Sequence, residues 1–278
     1  MIFLAKLLEL MTLEMETPTS YGWFHLMFVG LTLLACVFLC VRFRNSSERT
    51  ERRVVFVLWL IMLVLEIYKQ IIFTFEVVDG SIVGDYAWYA FPFQLCSTPL
   101  YVLPFVAFLP NGRLRDAVTG YTIAFSIFGG LCVYAFPGDV FMSYIGINIQ
   151  TMIHHGIQII VGVYLASKYR HRLTLKYYLE GGLVFIALVI VALVMNVGVH
   201  NALRALGHDD TFNMFYISPY HDCTLPLLSS IYPLVPYPVF LAIYVVGFIL
   251  AAAIIFFAAK GITHLAHSVR MRLKKNEA

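Results

Sequence analysis

Residues 22–73 read GWFHLMFVGLTLLACVFLCVRFRNSSERTERRVVFVLWLIMLVLEIYKQIIF. Two apolar runs are separated there by a short polar segment that carries five arginines. An apolar run of about 20 residues is long enough to cross a bilayer as an α-helix. The stretch therefore predicts two membrane-spanning helices that are joined by a basic loop.

The same pattern continues along the rest of the sequence. Of the 278 residues, 60% are hydrophobic and 13% are charged, and the mean hydropathy is +0.81. A soluble domain carries about 25% charged residues, so this composition leaves no room for a second, water-soluble domain. We predict seven spans, at residues 22–42, 54–75, 91–109, 117–135, 148–168, 178–200 and 236–260. The predicted fold class is an all-α, polytopic membrane bundle.

Three further segments accompany the seven-helix domain, which we place at residues 22–260. Residues 1–21 are short, apolar and then acidic, with no cleavage signal, and we interpret them as an interfacial or partly disordered segment. Residues 261–278 form a basic tail. The connection at 201–235 is too long for a simple loop and contains enough aromatic residues to fold over the mouth of the bundle.

Charge distribution predicts the orientation of the bundle. Sixteen of the nineteen lysines and arginines follow spans one, three, five and seven, whereas only two lie in the opposite segments. Cytoplasmic loops carry such an excess of basic residues. We therefore expect a multi-pass protein of the cell membrane with its N-terminus outside and its C-terminus in the cytoplasm. The net charge of +3 reports this orientation and does not indicate a nucleic-acid partner.

The cysteines do not form a recognisable framework. Four of the five fall inside apolar runs, and their spacings match no zinc motif. We therefore expect neither a set of disulfides nor a metal site.

Polar residues recur at one depth of the predicted bundle. Each polar or ionisable group inside a membrane is costly, so each is a candidate for function. The predicted topology places Glu66 near the middle of the bilayer and the following in the outer half: His25, Lys69, Gln70, Gln94, Cys96, His154, His155 and Gln158. A structural interpretation is also open, because pairs such as Glu66 and Lys69 often hold helices together. A lone histidine such as His25 is more often a satisfied core residue.

Cys96 gives this cluster a specific chemistry. A thiol becomes a strong nucleophile when a neighbouring imidazole removes its proton. The thioester that follows could accept an acyl chain from a lipid and pass it to an alcohol, while Gln94, Gln158 or backbone N–H groups stabilise the oxyanion. An ideal helix would not place Cys96 on the same face as Gln94, although nearby prolines could distort it.

Several motifs resemble those of the YwaF-like family of bacterial membrane proteins. FPFQLCS at 91–97 resembles the family's LPLQLCS motif, and IHHG at 153–156 resembles its AHG element, so that His155 is the matching histidine. His25 and Glu66 resemble the family's early His and Glu. FNMFYISP at 212–219 and SIYPLVPYPVF at 230–240 resemble two later segments, although Val235 and Tyr237 replace tryptophans of the last one.

This resemblance implies an activity. The YwaF-like family is similar to the eukaryotic transmembrane acyltransferase that builds polyunsaturated ether phospholipids, and more distantly to hydrolases of fatty-acid esters. Cys96 would then be the nucleophile and His155 its base or acid. Membrane lipids would be the substrates, and no soluble cofactor would be needed. Whether the chain is transferred or hydrolysed, and what the oligomeric state is, stay open.

The sequence is also compatible with two other functions. The protein could be a small-molecule or proton-coupled transporter with a polar path through Glu66, Lys69 and His155. It could also be a receptor or assembly protein in which the polar cluster only holds the helices together. A path that reaches the inner leaflet would favour transport, whereas a cavity that opens outward or sideways to lipid would favour an enzyme.

Overall fold

The computed structural model describes residues 2–276, most of them in helices. The helices are α1 (Ile2–Met11), α2 (Trp23–Phe43), α3 (Glu48–Ile72), α4 (Pro99–Phe108), α5 (Arg113–Tyr121), α6 (Ile127–Ala135), α7 (Ile145–Lys168), α8 (Leu175–Ala205), α9 (Leu228–Ile231) and α10 (Tyr237–Asn276). A π-helical turn at Thr122–Ser126 joins α5 and α6 into one rod. Strands β1 (Phe75–Val78) and β2 (Ser81–Gly84) form an antiparallel hairpin after α3.

Six helices of the described chain are long and apolar enough to cross a membrane. They are Trp23–Phe43, Glu48–Ile72, Arg113–Ala135, Ile145–Lys168, Leu175–Ala205 and Tyr237–Val269. The span predicted at 91–109 is instead a shorter apolar helix, Leu95–Phe108. Its first residues form a 3-10 turn, and α4 begins only at Pro99, which has no N–H to extend a helix backward. The ten residues of α4 are about 15 Å long, half the thickness of a bilayer core.

Helix α7 lies at the centre of the bundle, and 83% of its most apolar window is buried. Glycines allow its neighbours to approach closely. A Cβ at Gly130 of α6 would lie 2.7 Å from the carbonyl oxygen of His155, and a Cβ at Gly181 of α8 would lie 2.5 Å from the backbone nitrogen of Tyr121. Small residues at such crossings are the usual means of packing helices in membranes.

The N-terminal segment is attached to one end of the bundle. The Met15 N–H donates to the Ser143 carbonyl at 2.7 Å, and the Ile145 N–H donates to the Leu13 carbonyl at 3.0 Å. Within the segment predicted to be interfacial or partly disordered, residues 2–11 form α1. Residue 1, residues 277 and 278, and the side chains at 270, 271 and 273–276 of the predicted basic tail lie outside the described residues.

The opposite end, where α3 and α5 begin and α7 ends, contains a buried ion cluster. Glu51 is fully buried, and the Arg115 guanidinium donates to its Oε1 at 2.7 Å. The Tyr169 hydroxyl lies 2.8 Å from both carboxylate oxygens, and Lys168 Nζ lies 3.7 Å from Oε2. Sequence alone places these charges in or beside solvated basic loops. The structure instead uses them to join three helices.

Replacing Glu51 with alanine is expected to destabilise the protein by about 3–5 kcal/mol, because Arg115 would stay buried without a counter-charge. Thermal unfolding in detergent measures the loss. Glu48→Ala is the matched control, since Glu48 is an exposed carboxylate one turn earlier whose partner Arg52 stays solvated. Equal unfolding temperatures for the two variants would contradict a structural role of the buried cluster.

Candidate active site

Cys96 lies in the 3-10 turn Leu95–Ser97, and α7 holds this turn in place. The Cys96 carbonyl oxygen is 3.0 Å from Nε2 of His154, and it accepts a hydrogen bond from the Gln158 side-chain amide at 2.8 Å. Residues four apart on a helix share a face, so the two side chains act together. A ring nitrogen that donates to a carbonyl carries the proton, which leaves Nδ1 of His154 with a free lone pair.

His155 has a second free lone pair. Its Nδ1 lies 2.7 Å from the carbonyl oxygen of Thr151, so Nδ1 carries the proton and Nε2 is bare. Four buried acceptor atoms of this cluster have no hydrogen-bond partner among the described residues: His154 Nδ1, His155 Nε2, Gln158 Oε1 and Gln94 Oε1. Unpaired buried acceptors are costly. The cluster is therefore suited to bind a group that donates hydrogen bonds, such as a hydroxyl.

Helix α3 adds a charged pair beside the turn. Lys69 Nζ lies 3.3 Å from Oε1 of Glu66, and the same oxygen accepts a hydrogen bond from Gln70 at 2.7 Å. The Gln70 amide also donates to the Ala90 carbonyl at 3.0 Å. The structure thus attaches this face of α3 to the segment that leads into the Cys96 turn.

A groove with a volume of about 410 Å³ opens sideways between α3 and α4. Leu63, Ile67 and Leu100 contribute to its apolar wall, and Glu66 and Gln70 are among its polar members. Ile67 is 53% exposed, so the groove opens on the outside of the bundle, where a membrane would supply lipid chains. The groove thus reaches Glu66 of the charged pair from the side, and its lining does not include Cys96 or either histidine of α7.

The long connection after α8 packs over the cysteine turn. The Gln94 side-chain amide donates to the Asn213 carbonyl at 2.8 Å, and Asn196 pairs with both backbone groups of Met214, at 2.7 and 3.0 Å. Phe215 is buried with a φ of +58° and its ring lies 5.9 Å from that of Phe93. A phenylalanine in the left-handed region is strained, and such strain is found at functional sites.

The structure places His25 away from this cluster. Its Nδ1 accepts the Tyr21 N–H at 3.1 Å, which caps the start of α2. Its ring packs against Tyr134 and Phe141, with centroid distances of 5.9 and 6.1 Å. These contacts fix the His25 ring in the core, and its Nε2 is buried without a hydrogen-bond partner among the described residues.

Other residues at the site carry no chemical signal in the sequence. A Cβ at Gly129 of α6 would lie 3.3 Å from Oε1 of Gln158 and 3.7 Å from Cα of Cys96, so this glycine lets α6 approach the turn. The hydroxyls of Thr98 and Tyr121 are 2.5 Å apart and tie the start of α4 to α5. Only helix packing identifies Gly129 and Tyr121 as neighbours of the Cys96 turn.

The side-chain amides of Gln94 and Gln158 use part of their hydrogen-bonding capacity within the protein. Each uses one N–H on a backbone carbonyl, and each side-chain NH₂ has two hydrogens. One N–H per amide is left for an oxyanion. Within residues 2–276, no group of three or more His, Cys, Asp or Glu side chains is arranged to hold a metal ion.

Comparison with known proteins gives one match. The family model of the TMEM164 family matches residues 19–260, which include every residue of the candidate site. No curated protein and no solved structure matches the chain. Because the match covers nearly the whole length, the chain belongs to the TMEM164 family of transmembrane proteins.

Proposed function

We propose that this protein is a membrane-embedded acyltransferase that moves a fatty acyl chain between lipids through a thioester on Cys96. The observation that carries the proposal is the setting of the Cys96 turn. The side chains of His154 and Gln158 hold its carbonyl oxygen, and the rings of His154 and His155 each keep one nitrogen without a hydrogen-bond partner. The sideways groove beside the α3 charges supports a lipid substrate. The resemblance of FPFQLCS to the YwaF-like motif adds to it.

The reaction has two balanced halves. His155 Nε2 takes the thiol proton of Cys96, and the thiolate attacks the ester carbonyl of a donor phospholipid. The intermediate collapses to the thioester, and the lysolipid oxygen leaves with the proton from His155. An acceptor hydroxyl then gives its proton to the same nitrogen and attacks the thioester, which restores the thiol. The free amide hydrogens of Gln94 or Gln158 stabilise the two oxyanions.

The proposed topology has seven spans, with Leu95–Phe108 as a short third span. The end that contains the buried Glu51 cluster faces the cytoplasm of the cell, because most basic residues lie there. The Cys96 turn, at the start of this short span, then lies toward the outer leaflet. A span that begins inside the membrane gives a lipid ester direct access to the thiol.

The alternative function is a small-molecule or proton-coupled transporter with a path through Glu66, Lys69 and His155. The buried charges of Glu51 and Arg115 at the opposite end are the observation that favours it, because they would extend such a path. The groove beside Glu66 opens sideways instead, which suits an enzyme that takes its substrate from the bilayer.

Lipid products in detergent solution distinguish the two functions, because a micelle has no second compartment for a transporter to fill. The purified protein is incubated with a phospholipid that has a labelled acyl chain and with an unlabelled lysolipid. We expect the label to move to the lysolipid, or to appear as free fatty acid if water is the acceptor. Unchanged lipids, together with solute flux in proteoliposomes, would contradict the proposal.

A further inference from the structure

A second groove lies at the end of the bundle that contains Glu51, away from the Cys96 turn. It has a volume of about 460 Å³ and runs between the first turns of α3 and the end of α4. Its lining includes Glu48, Arg49, Arg52, Arg53, Phe56 and Phe108. We call it the arginine groove. It contains none of the residues proposed for acyl transfer.

The arginine groove has an excess of positive charge. Its carboxylate, Glu48, is already neutralised, because Arg52 Nη2 lies 2.6 Å from Oε1 and the Asn111 amide donates to Oε2 at 2.7 Å. Arg49 and Arg53 are exposed, and within residues 2–276 neither forms a hydrogen bond or a salt bridge with another side chain. Two guanidinium groups are therefore free for a ligand.

The same groove is apolar at its other end. Arg49, Arg53 and Phe56 are spaced four and three residues apart, so they lie on one face of α3. The Phe56 ring contacts that of Phe108 at 5.5 Å, and Phe108 is 64% exposed. Arg49 and Phe56 are seven positions apart, which is a rise of about 10 Å along the helix. Over this depth the groove changes from cationic to aromatic, as a bilayer changes from headgroup to acyl chain.

We propose that the arginine groove binds an anionic phospholipid, with its phosphate between Arg49 and Arg53 and its chain against Phe56 and Phe108. Guanidinium groups pair with phosphate oxygens through two parallel hydrogen bonds, which explains why arginine suits this position. A zwitterionic lipid gains less, because its headgroup amine is repelled by the same arginines. This lipid is a bound ligand and does not take part in the acyl transfer.

The double variant R49Q/R53Q tests the proposal. Native mass spectrometry of the purified full-length protein measures binding of phosphatidylglycerol, with phosphatidylcholine as the zwitterionic probe. We expect wild type to prefer phosphatidylglycerol, and the double variant to bind it about 30-fold more weakly, or about fivefold per arginine. R42Q/R44Q removes the same charge from the adjacent end of α2. This control is expected to change binding less than twofold, because water and salt screen charges that do not contact the lipid.

Single variants R49Q and R53Q replace the double variant if it fails to fold, and thermal unfolding without added lipid establishes folding. Inorganic phosphate is added in a separate series as the soluble source of the same chemistry. Equal binding of the two lipids, equal loss in R42Q/R44Q, or displacement of phosphatidylglycerol by millimolar phosphate would each overturn the assignment of an anionic lipid.

Discussion

Replacing Cys96 with alanine is expected to abolish acyl transfer, with a loss of more than about 10³-fold, because removing a catalytic nucleophile costs at least this much. Without Sγ no thioester can form. The measurement is covalent labelling of the protein by a phospholipid with an alkyne-tagged acyl chain. Neutral hydroxylamine should release the label, since it cleaves thioesters and leaves amides intact.

Cys132→Ala is the matched control for this variant. Cys132 lies in α6 and, like Cys96, is a half-buried free thiol. It forms no hydrogen bond with His154 or Gln158 in the part of the chain that the structure describes. Labelling should therefore persist in this control. Loss of label in Cys132→Ala, with retention of label in Cys96→Ala, would assign the thioester to Cys132 and contradict the mechanism.

His155→Gln is expected to slow thioester formation by about 10²–10⁴-fold, the usual contribution of a general base. The variant removes the bare Nε2 that accepts the thiol proton. The rate should recover partly at high pH, where solvent removes that proton instead, so the pH profile of label incorporation is the measurement. His200→Gln is the control, because the His200 ring stacks on Tyr220 outside the site.

His154→Gln tests whether His154 acts as the general base or only holds the Cys96 carbonyl. A glutamine amide can still donate to the Cys96 carbonyl, so this variant should lose less activity than His155→Gln and keep the wild-type pH profile. Both imidazoles have an unpaired ring nitrogen, which makes the comparison necessary. A larger loss in His154→Gln, with the altered pH profile, would move the role of base to His154.

Six of the seven predicted spans correspond to long apolar helices of the structure, because apolar length is a local property of the sequence. The helix predicted at 91–109 is shorter in the structure, since Pro99 begins α4 late and the preceding motif forms a 3-10 turn. The hairpin at 75–84 was likewise not predicted. Its valines and isoleucine look like the continuation of an apolar helix, and only the turn at Asp79 and Gly80, both with positive φ, separates the two strands.

The candidate site could be predicted as a list of residues but not as a geometry. Adjacent His154 and His155 have the same residue type, and only the rotation of α7 against the Cys96 turn decides which one contacts that turn. The Glu51–Arg115 pair joins residues 64 positions apart. Burial of such a pair depends on tertiary packing, so the sequence places both residues in polar loops.

The most direct test of the central claim is mass spectrometry of the peptide that contains Cys96. The wild-type protein is incubated with a donor phospholipid without an acceptor, quenched at acidic pH and digested. We expect an added acyl mass on Cys96, which disappears when lysolipid is supplied before the quench. Transfer of the labelled chain to lysolipid with no acyl group on Cys96, or with the acyl group on another residue, would contradict it.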